Sequence, residues 1–247
     1  MIKSFSTALS FLTVIRLPFA PSILSGEELA ASFACFPLAG LVLGSVYCAA
    51  ALAFRGVVPL PLLAVAVCTL MVVLTRGLHL DGLADLADGL WGGATPERRL
   101  EIMKDSRTGS FGVLALVLAM GLKITAVTSL LSAHALGSLL LAPVFARFAM
   151  VVAAYGSVYA RREGLGKPFL EHMKAGHLAS AAVLCAVAAG IAGPPYLGYF
   201  LPVLGTVYLV RSVCARMIGG ITGDVLGAVN EVTEILVLAL GACLAGA

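Results

Sequence analysis

Three aspartates, Asp81, Asp85 and Asp88, follow one another at a spacing of i, i+4, i+7 within a strongly apolar chain. At about 100° per residue, a helix places the three carboxylates within roughly 60° of one another on one face. Ionised carboxylates at this spacing repel each other, and burial near lipid increases the repulsion. Protonation, as in a proton relay, or a bound cation would relieve it. Oxygen ligands suit Mg²⁺, with Mn²⁺ as a substitute, so we predict that these catalytic aspartates bind that metal.

Glycines and basic residues after the aspartates favour the metal over the proton relay. Each glycine weakens a helix by up to ~1 kcal/mol relative to alanine, which is explained if a diphosphate must approach the backbone closely. Tight helix packing is the alternative explanation. The basic residues precede a predicted helix start, whose free N–H groups attract anions. This pattern indicates phosphoryl transfer, and we predict the following substrate-binding residues: Gly89, Gly92, Gly93, Lys104 and Arg107.

A second acidic position, Asp224, begins the last apolar stretch of the chain. Aspartate is a good helix N-cap, so both a capping role and a catalytic role as general base are open. Gly223 beside it and Arg216 shortly before it are further candidates for contact with the substrate phosphates.

Four ionisable residues, Lys123, Arg147, Glu231 and Glu234, lie deep within apolar stretches. Ionisable groups at such depth usually face the interior of a helix bundle and pair with one another. Two acids and two bases balance, so we expect structural ion pairs. Arg147 is also a candidate substrate-binding residue.

The elements that position these residues are long apolar segments, because the chain is 60% hydrophobic and only 12% charged. Soluble domains have roughly a quarter of their residues charged, whereas stretches of about 20 apolar residues span a bilayer as helices. The net charge of +3 does not suggest a nucleic-acid partner. We predict an all-α, polytopic transmembrane helix bundle, a single integral membrane domain over residues 1–247 in contact with membrane lipids. About seven spans are expected, at 29–54, 57–75, 110–131, 135–159, 178–192, 196–213 and 225–245.

Lysine and arginine are concentrated in alternate loops, and the positive-inside rule assigns those loops to the cytoplasm. The N-terminus is then cytoplasmic, the C-terminus lies outside, and residues 76–109 form a cytoplasmic catalytic segment. Residues 1–20 fit an interfacial helix or a helix packed against the bundle. The basic residues that decide the orientation are Arg98, Arg99, Lys104, Arg107, Arg161, Arg162, Lys167, Lys174, Arg211 and Arg216.

The chain resembles the cobalamin synthase family, the adenosylcobinamide-GDP ribazoletransferases. The central motif is HLDGLADLADGLWGG followed by ERRLEIMKDSRTGSFGVLAL. Further matching segments are FLTVIRLPFA, FPLAG, LAPVFARFAM and TGDVLGAVNEVTE, so the resemblance covers nearly the whole chain, most weakly at 178–213.

This resemblance implies a reaction: a ribose hydroxyl of α-ribazole, or of its 5′-phosphate, attacks the cobinamide-side phosphate of adenosylcobinamide-GDP and releases GMP. It also implies Mg²⁺ dependence and a place in the bacterial cytoplasmic (inner) membrane. Other cobalamin-pathway enzymes and further copies of the chain are candidate partners. A cation- or proton-coupled transporter is the alternative from another class. A CDP-alcohol phosphotransferase acting on lipid is the nearer alternative, since Asp85-x-x-Asp88-Gly89 resembles the opening of that motif.

Overall fold

Apolar helices make up most of the protein in this computed structural model, which describes residues 2–17, 25–164 and 166–246. Those residues contain no β-strand, so the predicted all-α class is confirmed. A 3-10 turn at Phe33–Cys35 precedes the helix that begins at Phe36, and another at Pro194–Tyr199 precedes the helix that begins at Phe200. The helices are α1 (Ile2–Leu12), α2 (Gly26–Ser32), α3 (Phe36–Phe54), α4 (Leu60–Thr75), α5 (Leu78–Gly92), α6 (Pro96–Ile102), α7 (Ser110–Ser132), α8 (Leu136–Ala154), α9 (Lys167–Glu171), α10 (Ala175–Ala192), α11 (Phe200–Ile218) and α12 (Gly223–Ala245).

Six helical segments of the described chain are long and apolar enough to cross a membrane, and the pair α4–α5 makes a seventh if it is one broken span. The protein is therefore a multi-pass membrane protein, and the prediction of about seven spans is confirmed. With 16 residues, α4 alone is only about 24 Å long at 1.5 Å per residue. That length falls short of the ~30 Å hydrocarbon core.

A sharp bend separates α5 from α4, with an angle of 89° between the two helices. Arg76 and Gly77 produce it by adopting left-handed backbone conformations, with φ of 55° and 65°. Glycine tolerates this conformation because it has no Cβ. The bend redirects the aspartate-bearing helix away from the axis of α4 and toward α12 and α7, against which it packs.

The centre of the bundle is α8, which packs against α3 on one side and α12 on another. Gly40 and Gly44 of α3 lie directly against the α8 backbone, where an added methyl group would overlap the carbonyls of Pro143 and Leu140. Small residues four apart allow helices in membranes to approach this closely. This contact holds α8 in the bundle interior.

A buried ion-pair network connects α7, α8 and α12. Lys123 Nζ lies 2.6 Å from Glu231 Oε2 and 2.7 Å from Glu234 Oε2. Arg147 Nη1 lies 3.3 Å from Glu234 Oε1. The predicted structural ion pairs are confirmed. The Arg147 side chain is 1% exposed and pairs with Glu234, and its contact with substrate stays a prediction.

The N-terminal helix α1 packs against α2 and α3 and buries Leu9 and Leu12. Residues 1–20 were predicted to form either an interfacial helix or a helix packed against the bundle, and the position of α1 corresponds to the second. Residues 1 and 18–20 of that segment lie outside the described residues.

Candidate active site

Two loops that are distant in sequence meet at one end of the bundle. Ala160 N–H donates to the Ile221 carbonyl at 2.8 Å, and Ile221 N–H donates to the Val158 carbonyl at 2.9 Å. Gly220 is required here because a methyl group at this position would overlap the Val158 carbonyl. The paired loops place the residues after α8 beside the first turn of α12.

This pairing brings Arg161 to Asp224. Arg161 Nη2 donates to Asp224 Oδ2 at 2.7 Å and to the Met103 carbonyl at 3.2 Å. Asp224 Oδ2 also accepts from the Thr222 hydroxyl at 3.2 Å. The N-cap of α12 is Thr222, whose hydroxyl accepts from Val225 N–H. Asp224 is therefore not the cap, and its catalytic role stays a prediction.

Close contact between α5 and α12 brings the first aspartates of α5 to the same place. A methyl group on Gly82 would lie 2.8 Å from the Asp224 carbonyl oxygen, so only glycine fits at this crossing. Asp81 has an exposed side chain, and Asp85 is half-buried and lies within the electrostatic reach of both Asp81 and Asp224. The end of the bundle thus carries three neighbouring acidic side chains and one arginine.

Asp88, the third aspartate, has a different environment from the other two. Its Oδ2 accepts from Gly109 N–H at 2.7 Å and its Oδ1 accepts from Gly112 N–H at 2.8 Å. These donors belong to the N-terminus of α7, where free N–H groups attract an anion. The predicted anion site at this helix start exists, but a carboxylate of the protein itself occupies it.

A cavity of ≈ 320 Å³ opens between α1, α5, α12 and the loop that follows α8. Its polar residues are Asp81, Asp224, Arg161, Tyr159 and His79, and Gly223 also lines it. Burial is the main cause that raises the pKa of the Tyr159 phenol, so this hydroxyl stays protonated at neutral pH and can donate a hydrogen bond. Phenylalanines, other apolar side chains and glycines form the remaining wall. The cavity therefore offers an apolar interior with acid, base and hydrogen-bond donor groups.

A second cavity of ≈ 420 Å³ brings together another subset of the predicted residues, namely Asp88, Gly92 and Arg107. Arg107 is strongly exposed and pairs with Asp105 at 2.6 Å, which holds the pKa of Asp105 down at about 2. The other two predicted basic residues, Lys104 and Arg216, have exposed side chains and line neither of these cavities.

The glycines after Asp88 serve packing more than ligand approach. A methyl group on Gly89 would overlap Met103, and one on Gly93 would lie 2.8 Å from the Arg99 backbone nitrogen. Both glycines therefore allow α6 to pack against α5. For these two positions the structure shows the close packing that was the alternative explanation, and the diphosphate contact stays a prediction. Gly92 has only an ordinary contact, at 3.5 Å, with Ile102.

Magnesium was predicted to bind all three aspartates of α5. In the described residues, no group of three or more His, Cys, Asp or Glu side chains is placed to hold one metal ion. The three aspartates do not form one group in this structure, because Asp88 is turned toward α7, and the metal site stays a prediction. Asp81 and Asp85 still fit the chemistry of Mg²⁺, which usually takes one or two carboxylates and completes its shell with water and substrate phosphates.

Three residues of the first cavity were not predicted from the sequence to belong to a functional site. Arg161 was considered only as a loop charge, and Tyr159 was not considered at all. No local pattern connects either residue with Asp224, more than 60 positions later. His79 could have been noticed, since it is a polar residue two positions before Asp81 in an apolar context.

A family model described as cobalamin-5-phosphate synthase matches residues 4–242. The chain belongs to this family. An adenosylcobinamide-GDP ribazoletransferase of Syntrophobacter fumaroxidans is 55% identical over 247 residues, which is 99% of this chain and 100% of that protein. Proteins with the same name from Pseudomonas syringae and Klebsiella pneumoniae are 41% and 37% identical, each over at least 95% of both chains.

Membership of the cobalamin-5-phosphate synthase family confirms the resemblance found in the sequence. Neither alternative, the transporter or the CDP-alcohol phosphotransferase, is favoured by these relatives. No solved structure matches the chain.

Proposed function

We propose that the protein is an adenosylcobinamide-GDP ribazoletransferase. In this reaction a ribose hydroxyl oxygen of α-ribazole, or of its 5′-phosphate, forms a bond to the cobinamide-side phosphorus of adenosylcobinamide-GDP. The bond from that phosphorus to the bridging oxygen breaks, GMP leaves with that oxygen, and adenosylcobalamin or its 5′-phosphate forms. The observation that carries the proposal is the 55% identity, over the whole chain, to a transferase of this name.

The acidic end of the first cavity supplies the proton chemistry in our proposal. Asp224 accepts the proton of the attacking hydroxyl as general base. Arg161 and Thr222 both bind its Oδ2, which orients the carboxylate and leaves Oδ1 to face the acceptor. The Arg161 guanidinium also offers positive charge to the diphosphate, where negative charge builds up on the GMP oxygen as the bond to it breaks.

In our proposal Mg²⁺, with Mn²⁺ as a substitute, is held by Asp81 and Asp85. When bound, the ion would neutralise charge on the diphosphate. Asp88 stays outside this group and positions α5 against α7 through its two hydrogen bonds. Asp81, Asp85 and Asp224 lie near one another, and unscreened neighbouring carboxylates repel one another. This crowding supports a bound cation.

We place the protein in the bacterial cytoplasmic membrane with the first cavity facing the cytoplasm. The basic loops after α6 and after α8 lie at the same end as the cavity, since Arg161 reaches Met103 and Asp224. The positive-inside rule assigns that end to the cytoplasm. Association with other cobalamin-pathway enzymes or with further copies of the chain stays a prediction.

The proposed function is tested by GMP release from the full-length protein in detergent, supplied with adenosylcobinamide-GDP, α-ribazole and Mg²⁺. We expect turnover that stops on chelation and returns with Mg²⁺ or Mn²⁺. Parallel reactions with α-ribazole 5′-phosphate identify the preferred acceptor, and a CDP-lipid with an alcohol acceptor tests CMP release. Glu97→Gln, an exposed carboxylate on α6, is the matched control for Asp81→Asn and Asp224→Asn, which we expect to be inactive. Release of CMP without GMP, or full activity of both variants, would refute the proposal.

A further inference from the structure

Phenylalanine rings form the interior of the first cavity. Phe11 and Phe169 have ring centroids 5.0 Å apart, and Phe33 lies 4.5 Å from Phe36 and 5.1 Å from Phe169. Met150 adds a polarisable side chain to the same wall. Rings arranged in this way offer flat apolar surfaces, which bind a planar aromatic group by offset stacking or edge contacts.

His79 is a polar residue that also lines this cavity. It is 2% exposed, and neither Nδ1 nor Nε2 has a hydrogen-bond partner among the described residues. A neutral imidazole carries one donor and one acceptor, and buried polar groups without partners are costly and therefore rare. A ligand with a hydrogen-bonding atom set in an otherwise apolar ring would supply the missing partner.

We propose that this cavity binds the bicyclic aromatic base of the acceptor nucleoside, and that His79 hydrogen-bonds the unsubstituted ring nitrogen of that base. The inference rests on the proposed function, because ribazole is a benzimidazole riboside. At roughly 30 Å³ per water-sized group, the ≈ 320 Å³ cavity has room for about ten non-hydrogen atoms. That is enough space for a benzimidazole.

The guanine of the other substrate fits this cavity poorly. Its edges carry an amide, an amino group and ring nitrogens, and each of these that met the phenylalanine wall would lose its hydrogen bonds to water. A benzimidazole has only one free ring nitrogen once its other nitrogen bears the ribose. Binding the base in the apolar interior places its ribose at the polar residues, within reach of Asp224 and Asp81. His79 is thus assigned as a residue that determines the specificity for the base.

The test compares benzimidazole with indole, which has the same shape but carries C–H in place of the free ring nitrogen. Both bases are used as inhibitors of GMP release by the full-length protein in detergent. We expect benzimidazole to inhibit about tenfold better than indole, the effect of one buried hydrogen bond. Its inhibition should be competitive with α-ribazole and not with adenosylcobinamide-GDP.

Variants at His79 connect this preference to the proposed hydrogen bond. In His79→Phe the two bases should inhibit equally, and the KM for α-ribazole should rise about tenfold with the KM for adenosylcobinamide-GDP unchanged. His79→Gln keeps a donor and should retain part of the preference for benzimidazole. His177→Phe, a half-buried histidine at the start of α10, is the matched control. Thermal unfolding of each variant confirms that it is folded.

Equilibrium dialysis of radiolabelled benzimidazole keeps the test independent of turnover. Binding that is weakened in His79→Phe and not in His177→Phe would support the site even if no GMP were released, in which case only the proposed function would fail. Equal inhibition by benzimidazole and indole in the wild type would overturn the inference. Competition of benzimidazole with adenosylcobinamide-GDP, with displacement by guanosine, would overturn it as well and assign the cavity to the nucleotide.

Discussion

Replacing Asp88 should reduce the stability of the protein, in contrast to the loss of activity expected at Asp81. The Asp88 carboxylate accepts hydrogen bonds from two backbone N–H groups, those of Gly109 and Gly112, at 2.7 and 2.8 Å. It is 7% exposed, and it joins α5 to the N-terminus of α7. Asp88→Ala removes both acceptors. The two N–H groups lie at the start of α7, where the helix backbone offers them no other acceptor.

The expected loss in the free energy of unfolding follows from those two hydrogen bonds. An unsatisfied buried donor costs about 1–3 kcal/mol, and hydrogen bonds to charged groups lie at the upper end of the usual range. The Gly112 bond is buried and the Gly109 bond is partly buried, so water would compensate for part of the second loss. We therefore expect Asp88→Ala to lower the free energy of unfolding by about 3 kcal/mol. Asp88→Asn keeps one acceptor oxygen and should lose about half as much.

The assay is denaturant- or SDS-induced unfolding of the purified protein in detergent, together with GMP release. Asp81→Ala is the matched control, because Asp81 lies on the same helix with an exposed side chain. It should leave the unfolding midpoint unchanged and abolish turnover. If Asp88→Ala unfolded at the wild-type midpoint, or if Asp81→Ala were the destabilised variant, the division of roles between the two aspartates would be incorrect.

Three further perturbations follow from the contacts described above. Lys123→Met leaves two buried glutamates without their shared ammonium group, so the free energy of unfolding should fall by about 3–5 kcal/mol in denaturant titrations. Arg161→Ala should lower kcat/KM for GMP release by about 10–100-fold, since it removes a hydrogen-bonded charge. The exposed neighbour Arg162→Ala should not do so. Gly89→Ala should lower the thermal unfolding midpoint because its methyl group overlaps the side chain packed against it, whereas Gly92→Ala should be tolerated.

Each of these expectations can fail in a specific way. A Lys123→Met protein as stable as the wild type would show that the ion-pair network does not hold the three helices together. Equal losses of activity at Arg161 and Arg162 would indicate a general charge effect instead of the specific pair with Asp224. Equal midpoints for the alanine variants of Gly89 and Gly92 would contradict the close approach of α6.

Local patterns predicted the helices well because membrane-spanning segments carry their signal in composition. The predicted end of the second span at residue 75 coincides with the end of α4. The predicted fourth span, 135–159, is longer than α8, which ends at Ala154 before Gly156 adopts a left-handed conformation. The sixth is extended instead, since the helical segment runs over Pro194–Ile218. Hydropathy places a span, but it does not place the residues where the backbone turns.

Helix periodicity correctly put Asp81, Asp85 and Asp88 on one helix, but it could not assign their partners. The 89° bend at Arg76 and Gly77 sends α5 across two other helices, so that Asp88 contacts α7 while Asp81 and Asp85 lie near Asp224 of α12. The sequence could not decide the role of Gly89 either, because close helix packing and close approach of a ligand both require a residue without a side chain.

The sequence by itself determined the class of the protein, its spans, its family and the acidic character of its chemistry, because each depends on residue type and on spacing within one segment. Only the tertiary structure decided which neighbours each acidic side chain contacts. The bonds that separate the roles join Asp88 to Gly109 and Gly112, and Arg161 to Asp224. Such contacts depend on how helices pack against one another, and no periodicity along the chain encodes that packing.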